Sequence, residues 1–215
     1  MRFEEVIDPT MPAIDRLNKL MAWIREDSRD PSIVSLSRAV VADAVASGRA
    51  GYDDPVGHLQ ALLDWQARAL KYQEDPTDDD GHQIELFKRA QQAIADGYDD
   101  CDGKVTVYCT MAYAAGYPSC PAWIEQEESR NNHVAGMSLV PAGAAASLQP
   151  AGEYECVVLL PSDAPRDSGS RRVWVEATLG DVKTPSGVVP GPRIGEHPFD
   201  VLRRFRRSGI TRLYL

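Results

Sequence analysis

Three residues of this chain have the types and local settings that covalent acyl chemistry requires. The first is Cys101, at the first turn of a strongly apolar predicted helix in the segment YDDCDGKVTVYCTMAYAAGYPS. The unpaired N–H groups and the positive dipole end of such a helix favour a thiolate and can bind an oxyanion. Its acidic neighbours Asp99, Asp100 and Asp102 oppose the thiolate, because negative charge raises a thiol pKa. A base close to Cys101 would have to compensate for them.

His133 is the candidate base. It follows Asn131 and Asn132 and opens an apolar strand pattern, so its ring can lie at a strand edge that faces a cleft. The remaining histidines lie in the helical half or in the Pro/Gly-rich tail and have no comparable setting; they are His58, His82 and His197.

Glu176 is the candidate third member. It ends the apolar run VWVE, and a carboxylate in a strand pattern needs a partner such as the imidazole whose tautomer it would hold. Taken singly, each of the three residues also has a structural explanation: a packed cysteine, a surface histidine and an isolated glutamate.

The elements that must position these residues change in type along the chain. Helix patterns occupy the first half, and the strongly apolar segment 102–115, ended by Gly116, indicates a helix buried in the middle of a domain. The predicted helix signals are Thr10 as a cap before Ile14, Leu17, Met21 and Ile24; Asp30-Pro31 as a start with an end at Gly48; Asp54-Pro55 as a start with an end near Tyr72; and a fourth helix over 83–96 that ends at Gly97.

Strand patterns follow Gly116. The predicted strands are 122–125, 133–140, 154–160 and 172–177, and the Pro/Gly-rich run after Glu176 is predicted to be extended and irregular. Helices followed by an antiparallel sheet predict an α+β fold in which the buried Cys101 helix packs on that sheet. A length of 215 residues favours one domain, with a helical lobe at 1–97, a core at 98–190 and a C-terminal extension with a short helix at 191–215.

Several short motifs occur in an order that resembles the order of motifs in the transglutaminase-like (papain-like cysteine) superfamily, especially its tailed-phage and prophage type. The matching words are YQEDP at 72–76, DCDGK at 100–104, GYP at 116–118, HV at 133–134 and VEAT at 175–178. The resemblance covers roughly residues 10–190 and implies that Cys101 is the nucleophile, His133 the general base and Glu176 the acidic third member.

The chain also departs from the pattern of that superfamily. Gly103 replaces the second acid of a DCDD word, Asp99 stands where the group often has glycine, and Glu176 replaces an aspartate. From His133 to Glu176 there are 43 residues (176 − 133), which indicates an inserted loop or strand.

The resemblance implies thiol-dependent acyl transfer from an amide to water, as in a protease or amidase, or to an amine, as in a transglutaminase. Neither a metal nor an organic cofactor is expected, and the partner would be a protein or peptide substrate. The alternative is a catalytically inactive phage structural or assembly protein that keeps the fold and binds other phage structural proteins. A third hypothesis, a helical binding module with an appended sheet, predicts that Cys101 and His133 do not converge.

Composition and charge bear on the other classes of function. A formal charge of −9 opposes nucleic acid binding, and the basic C-terminal segment is predicted to be an amphipathic helix whose arginines face water; they are Arg203, Arg204, Arg206, Arg207 and Arg212. No secretory signal or membrane span is predicted, so we expect a cytoplasmic protein of a bacterial host, with association with the virion as an option. The four cysteines are expected to be free thiols, and the acidic loop DPTDDD at 75–80 to be solvated.

Overall fold

The computed structural model describes residues 4–8, 10–82, 84–125, 132–148, 156–185, 187–208 and 210. The helices in this part of the chain are α1 (Ala13–Asp27), α2 (Pro31–Ala46), α3 (Pro55–Ala69), α4 (Ala90–Asp96), α5 (Cys101–Ala114), α6 (Ala142–Ala145) and α7 (Pro198–Arg207). The strands are β1 (Glu4–Val6), β2 (Lys71–Tyr72), β3 (Leu86–Lys88), β4 (Tyr98–Asp99), β5 (Ser119–Glu125), β6 (Asn132–Pro141), β7 (Val157–Leu159), β8 (Ser170–Val175), β9 (Val182–Thr184) and β10 (Gly187–Val189). The mixed α+β class is confirmed.

The main sheet has four antiparallel strands in the order β7-β5-β6-β8. The antiparallel pairs β1–β3 and β9–β10 and the short parallel pair β2–β4 lie outside it. The β2–β4 pair sets Tyr72 opposite Asp99, two residues before Cys101, and so brings the segment after α3 to the start of α5.

Helix α5 is the centre of the fold. Residues 102–112 are all buried, because α1, α2, α3 and α4 contact the helix together with strands β5 and β6. A helix that is apolar almost all round is stable only when neighbours cover every face. Hydrogen bonds between hydroxyls also join it to the sheet: Tyr108 Oη lies 3.0 Å from Ser138 Oγ on β6, which lies 2.8 Å from Ser119 Oγ on β5.

Several predicted helix boundaries are confirmed by their caps. The side chain of Asp30 accepts from the N–H of Ser32 at the start of α2, and Asp54 accepts from Gly57 at the start of α3. Gly97 ends α4 with a left-handed φ of 75°, a conformation that glycine adopts without steric cost.

Two predictions about the first helices were wrong. Thr10 does not cap α1, which begins at Ala13 after Pro12; both the N–H and the hydroxyl of Thr10 donate to Asp8 Oδ1 in a local turn instead. The third helix ends at Ala69 rather than Tyr72, because the backbone becomes extended at Leu70 and then pairs with β4.

The fourth predicted helix and the tail also differ from expectation. The helix begins at Ala90, since Leu86–Lys88 pairs with β1 and buries Phe87 from a strand rather than from a helix. The run after Glu176 is not wholly irregular, because Val182–Thr184 pairs with Gly187–Val189. Strand pairing over long sequence distances overrides local pattern at both places.

The predicted strands of the main sheet are present with shifted bounds. The strand predicted at 154–160 is observed over Val157–Leu159, and residues 154 and 155 lie outside the described residues. The C-terminal helix is amphipathic as predicted: Val201, Leu202 and Phe205 are buried and Arg203, Arg206 and Arg207 are exposed, while Arg212 lies outside the described residues. The division of the chain at residues 97 and 190 stays a prediction.

None of the helices in the described residues combines the length with the apolar content that a bilayer crossing needs.

Candidate active site

Cys101 is the first residue of α5, and its sulfur lies against the start of β6. The backbone N–H of Val134, the residue after His133, donates a hydrogen bond to the Cys101 sulfur. The side chain is half-buried, and its thiol is one of four free cysteines. The two elements that carry Cys101 and His133 therefore meet at the reactive sulfur.

His133 and Glu176 form a buried pair. The Nε2 atom of His133 lies 2.8 Å from Glu176 Oε2, and the two residues are 3% and 0% exposed. Because Glu176 occupies Nε2, proton exchange with Cys101 would go through Nδ1 of the same ring. The structure thus brings His133 and Glu176 together, while the Cys101 sulfur lies against the backbone of Val134, the residue after His133. The 43-residue interval between His133 and Glu176 contains α6, β7 and β8.

The register of β6 and β8 explains why Glu176 reaches His133 although it lies one residue beyond the end of β8. Gly136 is paired with Val175, and the same register extended outward sets His133 opposite Thr178. Since side chains alternate between the two faces of a strand, Glu176 and Thr178 then share the face of His133. The strand predicted over 172–177 was two residues too long at this end, because β8 ends at Val175.

Both oxygens of the Glu176 carboxylate have partners. Oε2 contacts His133, and Oε1 accepts from the N–H of Thr178 at 2.8 Å and from its hydroxyl. Burial acts to raise the pKa of Glu176, but the charge of His133 and the hydrogen bonds from His133 and Thr178 outweigh burial and lower it. The carboxylate is therefore ionised at neutral pH, as a group that orients an imidazole must be.

The electrostatic surroundings of Cys101 oppose its ionisation. Burial, followed by the charges of Asp100 and Asp102, raises the pKa of the Cys101 thiol well above 9.0, and the hydrogen bond from Val134 acts in the opposite direction. A thiol of this kind reacts at neutral pH only if a nearby base takes its proton in the reaction.

The N-terminal turn of α5 is less open to an oxyanion than the sequence predicts. Asp100 Oδ1 already accepts from the N–H groups of Asp102, at 3.1 Å, and Gly103, at 3.4 Å. The N–H of Asp100 donates to Asp99 Oδ1 at 3.1 Å. Of the four N–H groups at this end of the helix, that of Cys101 is left, within the described residues, as the donor for a developing oxyanion.

Tyr72 lies close to Cys101, although no role was predicted for it. It is half-buried opposite Asp99, and burial, followed by the charge of Cys101 and then that of Asp100, raises the pKa of its phenol. The phenol therefore stays protonated and can donate a hydrogen bond near the reactive sulfur. The only sequence signal was its place in the word YQEDP, which carries no information on what the side chain contacts.

A cluster of carboxylates lies beside Cys101 and joins two segments of the chain. Oxygen atoms of Asp75, Asp99 and Asp100 lie within 4.8 Å of one another, a spacing that a divalent cation can bridge. Burial and the charge of Asp100 raise the pKa of Asp75 to about 7, and burial and Asp100 raise that of Asp102 well above 3.8. Protonation can thus relieve the repulsion between these carboxylates.

The acidic loop is exposed at residues 78–80 as predicted, whereas Asp75 is half-buried and accepts from the N–H of Leu86.

Asp99 fills the space beside Gly103. An ideally placed Cβ at residue 103 would lie 2.0 Å from Asp99 Oδ2 and 2.1 Å from its Cγ. Lys88 approaches the other oxygen at 4.0 Å, and Lys104 donates to the carbonyl of Leu70 at 2.8 Å. The Asp99 carboxylate therefore fills the space that a side chain at residue 103 would occupy.

The carboxylate cluster makes the stability of the fold depend on pH. Burial raises the pKa of Asp99 from 3.8 to about 7, with Lys88 opposing and Asp100 adding to the effect. The folded state then holds a proton that the unfolded chain releases, so this stabilisation is complete below about pH 4 and is lost as the pH rises through 7. From Asp99 alone, we expect urea unfolding to give a free energy of unfolding on the order of 2 to 3 kcal/mol lower at pH 8 than at pH 5.

Asp99→Asn tests this assignment, because the amide keeps the shape of the protonated acid. The variant should be more stable than the unmodified chain at pH 8 and should show a flatter pH dependence. Asp80→Asn, at an exposed position, is the matched control and should keep the original slope. Equal slopes in all three proteins would remove Asp99 as the cause.

Two surface cavities of about 430 and 450 Å³ lie elsewhere on the molecule and share Asp64 and Arg193 in their linings. Neither is lined by Cys101, His133 or Glu176. They are therefore separate from the place where these three residues meet.

Comparison with known proteins gives little beyond this geometry. No family model matches the chain, and no curated protein matches it. A solved structure that it resembles is described as a "Putative Cysteine Protease from Cytophaga hutchinsonii", with 15% sequence identity and a TM-score of 0.37. The match covers 87% of this chain and 52% of that one, so the chain spans about half the length of the structure it matches. A likeness of this size defines neither the fold family nor the activity.

Proposed function

We propose that this chain is a thiol-dependent acyl-transfer enzyme of the transglutaminase-like class, with Cys101 as nucleophile, His133 as base and Glu176 as the orienting acid. The observation that supports it most strongly is the buried contact of 2.8 Å between His133 and Glu176, formed beside the Cys101 sulfur. Packing alone does not require a histidine and a glutamate at these positions, since a buried ion pair is often no more stabilising than apolar residues of similar volume.

The proposed reaction gives each of these groups one task. Nδ1 of His133 takes the thiol proton while the Cys101 sulfur bonds to the carbonyl carbon of an amide, and Glu176 stabilises the imidazolium. The imidazolium then protonates the leaving amine, the C–N bond breaks and a thioester remains. Water or a second amine attacks the thioester, gives its proton to His133 and forms the new C–O or C–N bond, and the sulfur recovers its proton as the C–S bond breaks.

The substrate in this proposal is a protein or peptide amide, and no metal or organic cofactor takes part. A phage or prophage setting, with the protein in the bacterial cytoplasm or attached to the virion, belongs to the same proposal and rests on the sequence words alone. The choice between hydrolysis and amine transfer depends on which acceptor reaches the thioester.

A second candidate is a structural or assembly protein that keeps this fold without activity and binds other phage structural proteins. The observation that favours it is the raised pKa of the Cys101 thiol, since Asp100 and Asp102 disfavour the thiolate that the chemistry needs. The two candidates differ in one measurable property, the reactivity of Cys101 in the folded protein.

The test is the rate of alkylation of each cysteine by iodoacetamide in the native protein, resolved by peptide mass spectrometry. We expect Cys101 to react at least about ten times faster than Cys156 at pH 7, because the proposal gives Cys101 a general base in His133. Cys156 is the matched control: it is also half-buried, and burial raises the pKa of its thiol. Equal, slow labelling of both would support the inactive candidate.

An acid-quench experiment then identifies the reaction. The protein is incubated with a mixture of amide-containing peptides, with and without a primary amine, and its intact mass is measured. An acyl adduct on Cys101 that is lost in Cys101→Ala and kept in Cys120→Ala supports the thioester. Its faster decay on addition of the amine would favour transfer, and an unchanged decay would favour hydrolysis.

A further inference from the structure

The Glu176 carboxylate is fixed from two sides, and the second side has no role in the proposal above. Thr178 donates twice to Oε1, from its N–H at 2.8 Å and from its hydroxyl, while Oε2 faces His133. Thr178 is 3% exposed and Glu176 is fully buried, so water cannot substitute readily for a lost donor.

The length of the glutamate side chain makes this second contact important. Glutamate has one more rotatable bond than aspartate, so its carboxylate can turn away from a partner more easily. The two donors of Thr178 lie only two residues further along the chain and hold Oε1 in a short local ring. Rotation of the Glu176 carboxylate about its terminal C–C bond would move both oxygens at once. The hydrogen bonds from Thr178 to Oε1 therefore also hold Oε2 in contact with His133.

We infer that Thr178 is a positioning residue, which acts through Glu176 to orient His133 and allows a glutamate to serve as the third member of the site. The inference rests on the proposed function, because it assigns a role within the same site. It assigns no contact between Thr178 and a substrate. The double hydrogen bond also stabilises the ionised carboxylate, which in turn stabilises the imidazolium formed when the thiol gives up its proton.

The experiment compares Thr178→Val with Thr178→Ser. Valine has the shape of threonine without the hydroxyl, and serine keeps the hydroxyl. We expect Thr178→Val to lower the rate of Cys101 alkylation at pH 7 about three- to tenfold and to move its pH profile to higher pH, and Thr178→Ser to return the rate to within about twofold of the original. Thr178→Val in a Glu176→Gln background should have little further effect on the alkylation rate, because the carboxylate through which Thr178 acts on His133 is already absent.

A spectroscopic readout separates positioning from stability. The Nε2–H proton of His133 should give a low-field NMR signal while it is bonded to Glu176, and this signal should weaken or move upfield in Thr178→Val but persist in Thr178→Ser. A variant that is less stable, yet keeps both the signal and the pH profile, would overturn the inference and leave Thr178 as a structural residue. If His133→Ala leaves alkylation unchanged, the proposed function itself fails; if only Thr178→Val is without effect, this inference alone fails.

Discussion

Replacing His133 with alanine should lower the rate of Cys101 alkylation at pH 7 by about 10- to 100-fold. Burial, Asp100 and Asp102 hold the pKa of the thiol well above 9.0, so without a base less than about 1% of it is thiolate at neutral pH. General-base assistance of this kind typically contributes at least two orders of magnitude in enzymes. The measurement is the alkylation rate from pH 5 to pH 10, for which the variant should rise only at the alkaline end.

His82→Ala is the matched control, since the side chain of His82 is exposed and lies two residues after the acidic loop. It should leave the pH profile unchanged. The buried thiols of Cys109 and Cys120 report on unfolding, because burial raises the pKa of both and their labelling should stay slow while the fold is intact. Rapid Cys101 labelling in His133→Ala, with Cys109 still unreactive, would contradict a role for the imidazole.

The sequence carries local signals for Cys101, His133 and Glu176, namely a helix start, the first residue of an apolar strand and the end of one. The structure pairs His133 with Glu176 and sets Cys101 at the start of α5, and the catalytic role of the three residues stays a prediction. The helix predicted over 83–96 was wrong in its first part, because Leu86–Lys88 pairs with β1. Leu86 lies opposite Val6, which is 80 residues earlier in the chain (86 − 6 = 80). Pairing of this kind leaves no periodic signal in the segment itself.

What could not be predicted depends on side-chain direction in three dimensions. Thr178 and Tyr72 lie in the motifs VEAT and YQEDP, but a motif does not show what a side chain contacts. Neither motif predicts that Thr178 donates to Oε1 of Glu176 or that Tyr72 lies close to Cys101. The sequence also did not predict that Asp100 accepts hydrogen bonds from N–H groups at the start of α5. A capping residue and an oxyanion site have the same sequence signature at a helix start.

The close approach of the Asp99 carboxylate to Gly103 leads to the second large effect. Gly103→Asp should destabilise the fold by more than about 3 kcal/mol, because its Cβ would overlap the Asp99 carboxylate and because it adds a negative charge to a buried acidic cluster. The measurement is the free energy of unfolding in urea at pH 7, with Gly143→Asp as the control, since nothing lies within 4 Å of a Cβ added at residue 143.

Adding Asp99→Gly to Gly103→Asp should restore most of the lost stability, because the double change returns one carboxylate to the space that Asp99 now fills. A second change that reverses the effect of the first indicates direct contact between the two positions, as the overlap of the Asp99 carboxylate with a Cβ at residue 103 requires. If the double variant is no more stable than Gly103→Asp alone, then overlap with the Asp99 carboxylate is not the cause of the lost stability, and the added negative charge in the buried acidic cluster would have to account for it.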